Sequence, residues 1–319
     1  MHGEDCMQTE NAFKRILVPI DGSVPSVAAR EMAADLAKKF DSNVMFLYVV
    51  SHELMSPTMQ KYTESWNRHE HPFIGSGGAV MPPQVHQSEV PEVAVFEKVA
   101  GEVTEEYTQE GEDVLDDAVK ALEEEGIEAD KKLVVRADPA NTILNEAENY
   151  DMIILGSTGE EDKEPHLGSV AKKVAHRSKI SVLVTRGKRE FSKILVPIDG
   201  SEHSFRTLRY VNMLAAKAKA EVTLLYVQET GIFRSRPNVI KEIGNRILSA
   251  AMTQLKDVKP EQKLESGDPA KTILKLAKKG DYDIIVIGSR GHSTTEMFML
   301  GSVSDHVVQY ADRPVLITK

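Results

Sequence analysis

The chain has 319 residues, 41% of them hydrophobic and 28% charged, with a formal net charge of −10. Those are the proportions of a soluble globular protein long enough for two domains that each bury a core. The acidic balance argues against nucleic acid or an anionic membrane as partner, and no apolar run is long enough to span a bilayer. The one cysteine, Cys6, excludes an intrachain disulfide, which fits a reducing, cytoplasmic setting.

Residues 1–12 are polar and acidic and are expected to form a disordered tail rather than a secretory signal. Ile16 to Ile20 reads as a buried strand ending at Asp21-Gly22. Ser26 is placed to cap a helix running to about Phe40, and Val44 to Val50 is a second buried strand. From about 51 to 111 the periodicity weakens, and nothing of similar length recurs later, so this stretch is expected to be an insertion. It holds His52, Trp66, His69, His71, His86 and a Gly75 to Gly78 GSGG run. The histidines lack the close second pair that a zinc site needs, so no metal site is expected there.

An acidic amphipathic helix follows over Asp113 to Glu125, then a strand at Lys132 to Val135. Asp138-Pro139 opens a helix with proline in the first turn, where its missing N–H costs nothing. Met152 to Leu155, a helix over Ser169 to Arg177, and Ser181 to Thr185 complete the first half, and 187–191 is a short linker. The order then repeats over 192–319, and four blocks recur in the same sequence. KRILVPIDGS (Lys14 to Ser23) returns as SKILVPIDGS (Ser192 to Ser201), and VMFLYVV (Val44 to Val50) as VTLLYVQ (Val222 to Gln228). ADPANTIL (Ala137 to Leu144) returns as GDPAKTIL (Gly267 to Leu274). The stretch around Gly156, Gly159, Gly168 and Ser169 returns around Gly288, Gly291, Gly301 and Ser302. A repeat of this length means a duplicated domain. Strands alternating with helices predict a doubly wound α/β fold, with ligands outside the carboxyl ends of the strands where their order reverses.

The chemistry carried by the glycine stretch is phosphate binding. Glycines let backbone approach an anion, and the amides and dipole of the following helix favour negative charge. The chain has no Walker A lysine and shows no evident base for an attacking water.

VPIDGS after the first strand, DPA before the third helix and G-x2-G-x9-G-S after the fourth strand together resemble the universal stress protein domain, here in tandem. The resemblance implies two five-stranded parallel sheets of order 3-2-1-4-5, packed as an intrachain pseudo-dimer through Ser181 to Thr185 and Val315 to Thr318, with a homodimer as a further option. Some members of that family bind ATP through the glycine motif and others do not. Carried over, the resemblance sets phosphates and ribose against Gly288, Gly291, Gly301 and Ser302, with Val303 beside them. It sets Asp199 and backbone at Pro197 near base and ribose, and Val227 against adenine. It gives Asp21, Gly156, Gly159, Gly168 and Ser169 weaker roles in the first half. There the loop between the last two glycines, EEDKEPHL, is one residue short of the family spacing and strongly acidic.

The expected function is therefore a nucleotide-binding regulatory stress-response protein that takes ATP, with or without Mg²⁺, mainly in the second half and signals to an unidentified protein partner. A slow ATPase or phosphotransferase, and an interaction protein with vestigial glycine loops, are the alternatives.

Overall fold

Along the first strand, β1 (Arg15–Pro19), Ile16 and Val18 face one side and Leu17 the other, and all three are fully buried. That pattern needs helices on both faces of the sheet. The computed structural model describes residues 12–51, 91–158, 167–186, 190–229, 237–291 and 300–319. The first half contains β1, α1 (Val24–Phe40), β2 (Asn43–Ser51), α2 (Pro91–Glu123), β3 (Ala129–Ala137), α3 (Pro139–Glu146), β4 (Met152–Gly156), α4 (Ser169–Arg177) and β5 (Ser181–Thr185). The second half repeats it with β6 (Lys193–Pro197), α5 (Glu202–Ala218), β7 (Glu221–Gln228), α6 (Pro237–Met252), β8 (Glu261–Ser266), α7 (Pro269–Lys279), β9 (Ile284–Gly288), α8 (Ser302–Tyr310) and β10 (Val315–Thr318). Helices α1, α2, α5 and α6 cover one face, and α3, α4, α7 and α8 the other.

Counted within each half, the strands lie in the expected order 3-2-1-4-5 and run parallel. The expected joining through Ser181 to Thr185 and Val315 to Thr318 is met, and it makes one sheet of the two expected. Val315, Leu316 and Ile317 pair antiparallel with Val184, Leu183 and Val182, which fuses both halves into one ten-stranded sheet. The cause is local: each fifth strand would otherwise end its sheet with a row of unpaired N–H and C=O groups.

The seam is reinforced reciprocally. Arg186, just past β5, donates to the Ala311 and Gln309 carbonyls at the end of α8. Lys319, just past β10, donates to the Ala175 carbonyl of α4 at 2.9 Å. Each half thus sends a cation to the negative end of the other half's last helix. His176 on α4 meets Asp305 on α8 at 2.8 Å. On the opposite face Phe13 stacks on Phe40 and meets Tyr210 edge-on.

Two local expectations are revised. The caps of α1 and α5 are Ser23 and Ser201, whose hydroxyls accept from the amides of Ser26 and Ser204. The helix read from Asp113 begins at Pro91 and runs for 33 residues through Gly101 and Gly111. Gly111 belongs there because a β-carbon would stand 2.7 Å from the Tyr48 ring. Gly244 stands the same way on Tyr226, also at 2.7 Å, so a glycine-on-tyrosine contact recurs in both halves. Cys6, the insertion histidines and the GSGG run lie outside the described residues.

Candidate functional site

Strand order reverses at β1/β4 in the first half and at β6/β9 in the second. The loops that leave these strands therefore meet over one crevice in each half. In the first half the crevice is a cavity of about 350 Å³. Asp21, Gly156, Gly168 and Ser169 line it together with Pro19, Val49 and Val170. These last three hold the places that Pro197, Val227 and Val303 hold in the repeat. The first half thus brings into one cavity every matched position except Gly159, which lies outside the described residues.

In the second half the same positions are tied by direct contacts. Gly301 N–H donates to the Ser289 carbonyl at 2.8 Å, and Ser304 Oγ to the Gly288 carbonyl at 2.7 Å. These bonds clasp the start of α8 to the end of β9. A β-carbon on Gly291 would stand 2.5 Å from Asp199 Oδ2, so the loop after β6 and the loop after β9 touch. The other Asp199 oxygen accepts from Ser201 N and Oγ at 2.9 and 2.6 Å. Pro197 ends β6 and Val227 lies half-buried near the end of β7, across from Glu265. His292 is outside the described residues.

The glycines divide by role. A β-carbon on Gly288 would meet the His203 carbonyl oxygen at 3.1 Å, and one on Gly156 the Pro25 backbone at 2.8 Å. These two let a strand end approach the start of α5 or α1. Gly168 and Gly301 have ordinary negative φ, −59° and −63°. Their importance lies in what they lack. Ser23, Asp138, Ser201 and Asp268 cap α1, α3, α5 and α7 with a side-chain oxygen. Among the α-helices whose N-caps are described, only α4 and α8 have no side-chain cap. Their first amides are left for an acceptor from outside the helix, at the positive end of the dipole. Ser289 Oγ, beside Gly288, is buried and has no hydrogen-bond partner among the described residues.

Charge near the second crevice was not anticipated from sequence. Arg290 lies between Gly288 and Gly291, and its field reaches His203 and Lys319. Burial first, then repulsion from Arg290 and Arg206, holds the His203 imidazole below its ordinary range. Burial, with a smaller push from Arg290, lowers the Lys319 ammonium to about 8. The signal was present in the repeat itself, where GSTG (Gly156 to Gly159) becomes GSRG (Gly288 to Gly291).

Comparison with known proteins agrees with the fold. The model of the universal stress protein family matches residues 12–70, 85–186 and 190–319. The chain belongs to that family. A universal stress protein of Synechocystis sp. is 25% identical over 309 residues, covering 95% of this chain and 99% of that one. The universal stress protein YxiE of Bacillus subtilis is 36% identical over 147 residues, covering 40% of this chain and 99% of its own, the proportion expected of one half against a single-domain member. The crystal structure of a universal stress protein from Archaeoglobus fulgidus covers 96% of this chain and 98% of its own with a TM-score of 0.64 and 23% identity, which supports the fold.

No helix among the described residues is long and apolar enough to cross a membrane. Among the same residues no three His, Cys, Asp or Glu side chains converge as metal ligands.

Proposed function

We propose that this chain is a nucleotide-binding regulatory protein that holds ATP, with or without Mg²⁺, mainly in its second half, residues 192–319, and passes its occupancy to a protein partner. The observation that carries this reading is the pair of uncapped helices, α4 and α8, each opening at Gly-Ser over a strand-order reversal. Every other α-helix with a described N-cap satisfies an amide with its own side chain, so these two ends are suited to an outside anion. Gly288, Gly291, Gly301, Ser302 and Val303 would form the phosphate side. Pro197, Asp199 and Val227 would form the base and ribose side. A nucleotide's divalent ion would be shared between Asp199 and the phosphates.

Preference for the second half rests on charge. Arg290 stands where the first half has Thr158. The residues that join Thr158 to Leu167 include Glu160, Glu161, Asp162 and Glu164 against Lys163. The reading is of a binding protein, because the groups assigned here hold a ground state and none is aimed at charge that develops in a transition state.

Nucleotide released on denaturing the purified chain, followed by titration calorimetry of the stripped protein with ATP, tests the reading. One tight site per chain, lost in Gly291→Val and kept in Gly159→Val, is expected. Absence of nucleotide together with absence of ATP binding would sink it.

A further inference from the structure

The two crevices of the chain differ by more than the glycine loops. The glycine-on-tyrosine contacts of Gly111 with Tyr48 and Gly244 with Tyr226 show which positions of α2 and α6 are equivalent in the two halves. One residue before each glycine stand Glu110 and Ile243. Glu110 and Tyr107, one turn earlier, line the first-half cavity. So the first half has a carboxylate where the second has an exposed aliphatic side chain, and Thr158 where the second has Arg290. Both exchanges move charge in the same direction, away from an anionic ligand.

The described residues that line the cavity include Asp21 and Glu110 and no Lys, Arg or His. Its walls are apolar and aromatic: Ile20, Val50, Ile143, Leu155, Tyr48 and Tyr107. Hydroxyls of Ser26, Ser51, Thr158 and Ser169 add uncharged donors and acceptors. At about 350 Å³ it is at the small end of the range for small-molecule pockets. An apolar slot with carboxylates at its rim suits a flat ring bearing amino and hydroxyl groups, since carboxylates accept from ribose hydroxyls and exocyclic amines. Among its described residues the cavity offers a triphosphate no cationic side chain, only the uncapped start of α4 at Gly168 and Ser169, and the two rim carboxylates oppose that attraction.

We propose that the first-half cavity binds an unphosphorylated nucleoside and selects against the nucleoside triphosphate, so that one chain reads two phosphorylation states of the same ligand class. This rests on the reading of both crevices as nucleotide sites. It adds that α2 has re-specified the first one through Tyr107 and Glu110.

The test uses the full chain carrying Gly291→Val, which silences the second crevice, with adenosine and ATP as probes in equilibrium dialysis. Adenosine is expected to bind at one site, and ATP about tenfold more weakly or less. Glu110→Lys in the same background is expected to narrow or invert that preference, while Glu110→Gln gives an intermediate ratio. Adenosine that fails to bind, ATP that binds as tightly as adenosine, or a ratio indifferent to Glu110→Lys would each overturn the proposal. ATP binding by the chain with an intact second half is measured separately, so its loss would indict the function above and not this site. Glu110 is exposed on a helix, and circular dichroism checks that both variants fold.

Discussion

The Asp199 carboxylate occupies the space that a side chain on Gly291 would need, with Oδ2 standing 2.5 Å from an ideal β-carbon there. Ser201 holds the other carboxylate oxygen through N–H and Oγ, so Asp199 is anchored where it faces the glycine. Gly291→Val must therefore push Asp199 aside while its own methyls fill the crevice. Both are exposed or half-exposed at the sheet's end, so the fold should tolerate the change within about 1 kcal/mol. ATP binding should fall below detection by calorimetry. Unchanged affinity would mean that the loop after β9 is not the phosphate side.

Gly288 and Gly156 should respond in the opposite way. Their missing β-carbons face backbone, His203 O at 3.1 Å and Pro25 at 2.8 Å, and backbone cannot swing away as a carboxylate can. Alanine at either position should cost about 1–3 kcal/mol of stability, with Gly156→Ala the worse. Urea denaturation reads this directly. A Gly288→Ala chain as stable as the parent would show that the strand end has slack and that this glycine serves the ligand alone.

The sequence made the fold legible because its blocks repeat: VPIDGS, DPA and the glycine stretch mark three strand ends or helix starts in each half. Strand order within each half followed from the family those blocks resemble. The joining of β5 to β10 also followed from that family, as packing through Ser181 to Thr185 and Val315 to Thr318. The antiparallel register that fuses the halves into one sheet did not, because it depends on partnering of backbone groups that no side-chain pattern records. The reach of α2 back to Pro91 was hidden for a related reason. Gly101 and Gly111 read as interruptions in a local pattern, whereas Gly111 is a contact with a tyrosine more than sixty residues away, Tyr48. The uncapped starts of α4 and α8 were legible as Gly-Ser. Their contrast with the four capped helices required the hydrogen bonds.

That tyrosine contact gives a prediction against helix propensity. In an exposed helix interior, Gly→Ala gains about 1 kcal/mol. At Gly244 a β-carbon would stand 2.7 Å from the Tyr226 ring and 2.8 Å from Leu264. Gly244→Ala is expected to destabilise by about 1–3 kcal/mol, because two partly buried neighbours packed on the core must move. Tyr226→Leu in the same chain should recover part of the loss. A more stable Gly244→Ala chain in urea would show that α6 lifts off the sheet without cost.

Lys319 gives the chain a stability slope in alkali. Burial lowers its pKa from 10.5 to about 8, so between those values the unfolded chain binds more protons than the folded one. Stability contributed by this residue therefore rises with pH through that window and is flat below it. The hydrogen bond to the Ala175 carbonyl survives, since a neutral amine still donates. Lys319→Met removes the titrating group. The stability difference between parent and Lys319→Met should move in the parent's favour by about 1–3 kcal/mol between about pH 7 and pH 10. A difference that stays constant over that range would mean that Lys319 reaches solvent when charged.

The asymmetry between the crevices can be reduced to one position in each. Arg290 and Thr158 occupy equivalent places between strand end and glycine loop. Arg290 is close enough to His203 and Lys319 to disfavour their protonation, so its charge is felt across the mouth of the second crevice. An ATP phosphate there would relieve that crowding of cations as well as pair with the guanidinium. Arg290→Thr should weaken ATP binding by about tenfold, which corresponds to about 1.4 kcal/mol. The loss should shrink at high salt, because screened charges contribute less. Removing Arg290 should also let the His203 imidazole titrate closer to its ordinary range, which proton NMR follows without any ligand. The reciprocal change, Thr158→Arg, adds a cation beside Asp21 and Glu110 and should raise ATP affinity in the first half while leaving the second unchanged. Equal ATP affinity in parent and Arg290→Thr, with His203 nonetheless shifted, would separate the two claims: Arg290 would then tune its neighbours without touching the nucleotide, and preference for the second half would have to come from the acidic residues between Thr158 and Leu167.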